Sequence, residues 1–148
     1  MGQTLTAQLE QVGPTTATAR VRTHTVVVDR PVAKGGEDRG PLGGEYLLVA
    51  LGGCFLSNLL AAIRARDAAV TDVRIAVSGT IEGGPDHFAA FTMSVSATHA
   101  GADLVRKLIA VAAQACAVTN TLRRAAPVTI EFEGRAVEYS WCGPSGPP

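Results

Sequence analysis

The sequence has no surplus charge of either sign, since 13 basic and 13 acidic residues leave a formal net charge of +0. Without clustered Lys and Arg there is no electrostatic footprint for DNA, RNA or an anionic membrane. Closely spaced metal ligands are missing as well. Zinc sites announce themselves by Cys/His spacing such as Cys-x-x-Cys, whereas Cys54, Cys116 and Cys142 stand far apart. His24, His87 and His99 fall on a strand, in a turn and at a strand end, where structural or solvated roles are expected. No metal and no other cofactor is expected. A Gly-x-Ser-x-Gly elbow and a phosphate loop are absent, and the Gly-rich stretch before Pro41 lacks the strand and spacing of a dinucleotide fingerprint. The opening residues Met-Gly-Gln-Thr-Leu-Thr have neither a basic nor an apolar region, and three widely spaced cysteines do not form a secreted disulfide framework. A reducing, cytoplasmic setting is expected.

What the chain does have is enough length for one domain and a clear order of elements. Its 148 residues bury a core without disulfide staples, so one domain over 1–140 is expected, followed by a disordered tail over 141–148. Thr4 to Val12 and Thr18 to Val28 read as a hairpin around Gly13-Pro14, and Pro31 to Gly44 as an exposed loop. A helix follows from about Gly44 to Asp67, with Glu45 in its first turn, where a negative charge complements the helix dipole. Val70 to Glu82 and Phe88 to Thr98 make a second antiparallel pair. Asp103 to Ala115 is helical, with Leu104, Leu108, Val111 and Ala115 on one face, and Val128 to Phe132 and Ala136 to Tyr139 close the chain as short strands. Strands gathered around helices give an α+β architecture. The run Tyr46 to Ile63 matches the ~18–20 residues of a minimal membrane span. Gly52, Gly53, Ser57 and Asn58 within it, and Arg64 and Arg66 after it, favour a buried helix and no membrane.

Two of the cysteines lie inside long apolar segments. Cys54 sits in Glu45-Tyr-Leu-Leu-Val-Ala-Leu-Gly-Gly-Cys54-Phe, and Cys116 in Ala115-Cys116-Ala-Val-Thr-Asn-Thr-Leu122. Thiols remote in sequence and held on helices suit a dithiol redox cycle better than a metal site. The first segment, with Gly40, Pro41, Glu45, Leu47, Leu48, Ala50, Leu51, Gly52 and Cys54 in register, resembles the first motif of the OsmC/Ohr family in its OsmC-like branch. The second, with Cys116, Val118, Thr119 and Leu122, resembles the family's second motif, and the resemblance extends over about residues 4 to 133.

That resemblance implies an OsmC-like fold, antiparallel sheets around two central helices, in an intertwined homodimer. It also implies a thiol-dependent peroxidase that reduces organic hydroperoxides, with Cys54 as the peroxidatic thiol and Cys116 as the resolving one, recycled by an external dithiol reductant. Family peroxidases activate the thiol with an arginine held by a glutamate. The loop that carries this arginine in one branch, Gln11 to Thr16, has none here, which leaves Arg39 as the replacement and Arg30 as second choice. Those peroxidases place the glutamate one residue earlier, where this chain has Gly44, so Glu45 matches the broader branch. At about 100° per residue, the nine steps from Glu45 to Cys54 turn through roughly 900°, to opposite faces of a regular helix. The family also has Pro after the second cysteine, where this chain has Ala117.

A different class of function fits the same residues: a dimeric binding module that keeps the fold, holds a small apolar molecule and turns over little peroxide. Trp141-Cys142-Gly143-Pro144 copies the start of a thioredoxin site, but Ser145 stands where the second cysteine belongs, so this match is read as coincidence.

Overall fold

Gly13-Pro14 and Arg22-Thr23 reverse the chain twice within its first thirty residues. The result is a three-stranded antiparallel sheet of β1 (Gln8–Gln11), β2 (Ala17–Val21) and β3 (His24–Val28), in that order. Leu9 pairs with Ala19, and Ala19 with Val26. The single strand expected over Thr18 to Val28 is therefore two strands. Arg22 takes the left-handed φ of 56° that Gly or Asn usually supplies, so residue type alone does not mark this turn.

The structure, a computed structural model, describes residues 2–140, so the tail expected over 141–148 and Cys142 lie outside the described residues. The described residues form two units, one ending at Leu47 and the other beginning at Leu48. In the first unit, a short 3₁₀ turn (Val32–Lys34) follows β3 and ends on Gly35. Gly36 then passes so close to Arg30 that a Cβ there would meet its carbonyl oxygen at 1.9 Å, which only glycine tolerates.

Helix α1 (Gly43–Ala65) begins in the first unit and supplies most of its length to the second. Its start is fixed by Glu45, whose carboxylate accepts the Leu42 N–H at 2.8 Å, one half of a capping box. Its end is a turn in which Asp67 adopts a φ of 46° and the Ala68 N–H reaches back to the Ile63 carbonyl.

The second unit holds a four-stranded sheet, ordered β4 (Val70–Glu82), β5 (His87–His99), β6 (Val128–Phe132) and β7 (Arg135–Ala136). β4 and β5 form the expected antiparallel pair. β6 runs parallel to β5, and the connection between them carries α2 (Ala102–Ala115) and α3 (Ala117–Leu122), as parallel pairing requires a long crossover. β7 folds back on β6 through Glu133-Gly134, both at positive φ, and is shorter than the strand expected over Ala136 to Tyr139.

Alternation places Phe91, Met93 and Val95 of β5 and Val128, Ile130 and Phe132 of β6 in the core. Leu51, Phe55, Leu59 and Ala62 of α1 are buried, as are Val105, Leu108, Ile109, Ala112 and Ala113 of α2. Each large apolar side chain so covered contributes ~1.5–3 kcal/mol, the main favourable term for the unit. On α2 the buried face is rotated from the expected one: Leu104 and Val111 are 43% and 37% exposed. Both i, i+4, i+7 series on this helix read as apolar, and the one that includes Val105 and Ile109 is the buried face. Gly52 brings α1 against β4, because a Cβ there would stand 2.7 Å from Val77. On α1, burial is confined to one side. Val49 and Leu60 are 62% and 48% exposed, and the helix is long and apolar enough, with a mean hydropathy of 2.0, to cross a membrane by length and composition.

Candidate active site around Cys54 and Cys116

Cys54 lies in the middle of α1, half-buried, one residue before the fully buried Phe55. Asn58, one turn further on, donates its side-chain amide to the Cys54 carbonyl at 2.9 Å and lies 3.9 Å from its sulfur. A Cys54 thiolate would therefore have one neutral donor on its own helix.

Cys116 occupies the junction between α2 and α3 and is fully buried. The helix breaks here although Ala117 stands in place of the family's proline. Cys116 adopts extended angles (φ −79°, ψ 108°), closing α2 and capping α3. Side-chain contacts do the work that proline's ring would do: the Asn120 amide donates to the Gln114 carbonyl at 2.9 Å, and the Thr119 N–H donates to Cys116 Sγ at 3.4 Å. Thr119 is itself fully buried. Its hydroxyl meets no acceptor at ordinary hydrogen-bond geometry, an arrangement that costs ~1–3 kcal/mol when a polar group is removed from water.

The fold brings the two thiols together. Burial pushes the Cys116 thiol above its ordinary range, the Thr119 hydroxyl and N–H oppose that rise, and Cys54 adds to it as a hydrogen-bonding partner and as like charge. Both cysteines are free thiols. Tyr139 completes the surroundings. Burial raises its pKa, the Arg123 guanidinium opposes this, and Cys116 adds to it. Arg123 lies 5.0 Å over the Tyr139 ring, and the phenol donates to the Val128 carbonyl at 2.5 Å.

Arg39 and Glu45 belong to the first unit. The Arg39 backbone N–H donates to Asp29 at 3.1 Å. That carboxylate, 2% exposed, also accepts Thr15 Oγ1 at 2.7 Å, Thr16 Oγ1 at 3.1 Å and the Arg30 N–H at 2.7 Å. Burial works to raise the Asp29 pKa, but these four donors override it and hold the carboxyl at about 2. Glu45 makes the capping contact with Leu42 described above.

Three features went unread in the sequence: the contact of Asn58 with Cys54, the Arg123–Tyr139 stack and the Asp29 hub. The only available signal for Asn58 was its position one helical turn after Cys54. Thr119 was read as a motif match rather than as a donor. His99 Nε2 contacts Glu133 at 2.8 Å and His87 Nδ1 contacts the Pro85 carbonyl at 3.1 Å. No cluster of three or more metal-ligating side chains occurs among the described residues.

No curated protein matches this chain. Among solved structures, it is similar to a hypothetical protein from Aquifex aeolicus VF5, with 15% identity over 95% of this chain and 98% of the other and a TM-score of 0.77. It is similar also to an organic hydroperoxide resistance protein from Elizabethkingia anophelis, with 17% identity, 91% and 99% coverage and a TM-score of 0.72. An organic hydroperoxide resistance protein OsmC from Legionella pneumophila, described as a predicted redox protein, gives 17% identity, 88% and 96% coverage and a TM-score of 0.69. Likeness at these identities establishes the fold, and the α+β arrangement of two sheets and helices is that of the OsmC structures. The model of the OsmC-like protein family matches residues 35–131, a stretch that contains both cysteine segments, and this chain belongs to that family.

Proposed function

We propose that this protein is a homodimeric, thiol-dependent peroxidase that reduces organic hydroperoxides through a Cys54/Cys116 cycle, with residues 1–140 acting as one domain in the cytoplasm. The observation that carries the reading is the adjacency of two free thiols, one half-buried and one fully buried. In the first step the Cys54 thiolate attacks the terminal peroxide oxygen. A sulfur–oxygen bond forms, the O–O bond breaks, and the alkoxide leaves as the alcohol after taking a proton from water, with sulfur oxidised to a sulfenic acid. Cys116 then attacks the Cys54 sulfur, forming the disulfide, while the sulfenic oxygen leaves with a proton as water. An external dithiol opens the disulfide by exchange and is itself oxidised to a disulfide.

Arg39 is assigned the activating charge, with Arg30 as second choice, and Glu45 the role of its anchor. These roles follow from the family pattern. Apolar Leu51 and Phe55 beside Cys54 favour alkyl over hydrogen peroxides. The exposed apolar side of α1, which includes Val49 and Leu60, supports pairing with a second copy.

Steady-state peroxide consumption with a dithiol reductant is the test. Cys54→Ser should lose at least ~10³-fold in rate, and Arg39→Gln ~10²-fold. A wild-type protein no faster than Cys54→Ser ends the proposal. A second reading, a binding module for a small apolar molecule, is favoured by the open groove of about 390 Å³ lined by Leu48, Val49, Gly52, Leu56, Ile75 and Val77. A copurified apolar ligand seen by native mass spectrometry, together with an unreactive Cys54, would select it.

A further inference from the structure

We infer that Thr119 is a two-point donor to the Cys116 sulfur, its N–H and its hydroxyl both serving the atom that attacks Cys54 in the disulfide-forming step, a role that rests on the cycle proposed above. Both donors belong to one fully buried residue. The N–H reaches Cys116 Sγ at 3.4 Å, while the buried hydroxyl has no acceptor at ordinary hydrogen-bond geometry. A neutral thiol is a weak acceptor and a thiolate a strong one. The hydroxyl therefore gains a full partner only when Cys116 ionises, and an interaction made only in the charged state lowers the barrier to reaching it.

The clamp is already assembled. Asn120 fixes the junction through its N–H on the Cys116 carbonyl and its side-chain amide on the Gln114 carbonyl, each at 2.9 Å, so the backbone that carries Thr119 is held beside the sulfur. The Thr119 side chain and N–H both oppose the rise that burial imposes on Cys116. Among the described residues, Cys54 on α1 and Tyr139 beyond β7 are the titratable groups that interact with this sulfur. Tyr139 in turn feels Arg123, and neither Cys54 nor Tyr139 replaces the donors on Thr119. Thr119 is thus a positioning residue for the resolving thiol rather than a partner for the peroxide.

The test needs no peroxide, so it stands apart from the peroxidase reading. In full-length protein with Cys54→Ser and Cys142→Ser, the remaining thiol, Cys116, is titrated by its ultraviolet thiolate absorbance, with and without a change at Thr119. Thr119→Val should raise the midpoint by about one pH unit, or abolish the thiolate signal below about pH 10.5, while Thr119→Ser stays within about 0.3 unit of the parent. Thr119→Ala, which keeps the N–H and removes the hydroxyl together with the γ-methyl, carries the same expectation if the valine variant does not fold. A midpoint unchanged in Thr119→Val and Thr119→Ala overturns the inference. So does an equal shift in Thr119→Ser, or a parent protein with no thiolate signal up to about pH 10.5.

Discussion

Asp29 and Cys116 are both buried acids, yet one is held ionised at about pKa 2 and the other is pushed above its ordinary range. Burial raises both. Asp29 meets four donors, two hydroxyls and two backbone N–H groups, and they outweigh the loss of water. Cys116 meets only the donors of Thr119, faces the like charge of Cys54, and stays protonated. The number and kind of fixed donors, rather than depth of burial, decides the direction in which each group moves from its own ordinary value. The first arrangement suits a structural anchor and the second a group that changes state.

The comparison breaks most visibly if the anchor is removed. Asp29→Ala leaves Thr15, Thr16 and the N–H groups of Arg30 and Arg39 without their acceptor. It should lower Tm by ~5–10 °C, the largest stability loss among these variants, as read by calorimetry. A smaller effect comes from pH. The Asp29 pKa is depressed, so its stabilisation is complete above the unfolded value of ~3.9 and is lost as pH falls toward about 2. The Cys116 pKa is raised, so its contribution is complete below ~8.5 and is lost as pH rises beyond that. Denaturant midpoints measured across pH should fall at both ends, and Asp29→Asn should remove the acid limb alone. The smallest effect sharpens the other half of the comparison. Cys54→Ala removes the like charge, and the Cys116 midpoint should drop by ~0.5 unit in a thiolate titration.

The legible parts of the molecule were those that residue type enforces. The apolar run from Tyr46 to Ile63 reads as helical, and α1 covers all of it. The two cysteine segments identified the family. The β2–β3 turn was hidden because Arg22, an unremarkable residue, carries the positive φ. The α2 face was misread by one residue because Leu104 and Val105 begin equally apolar series, and only packing chooses between them. The Asp29 hub was invisible for a different reason: its donors come from three separate segments, and no local pattern announces their convergence.

The parallel pairing of β5 with β6 has a consequence for the order in which the molecule is made. Residues 102–122 must be synthesised and wound before β6 reaches its neighbour, and such distant closures are slow steps in folding. A ribosome-bound chain therefore displays Cys54 well before Cys116 has been translated. During that interval the first sulfur lacks the partner that it meets in the folded protein.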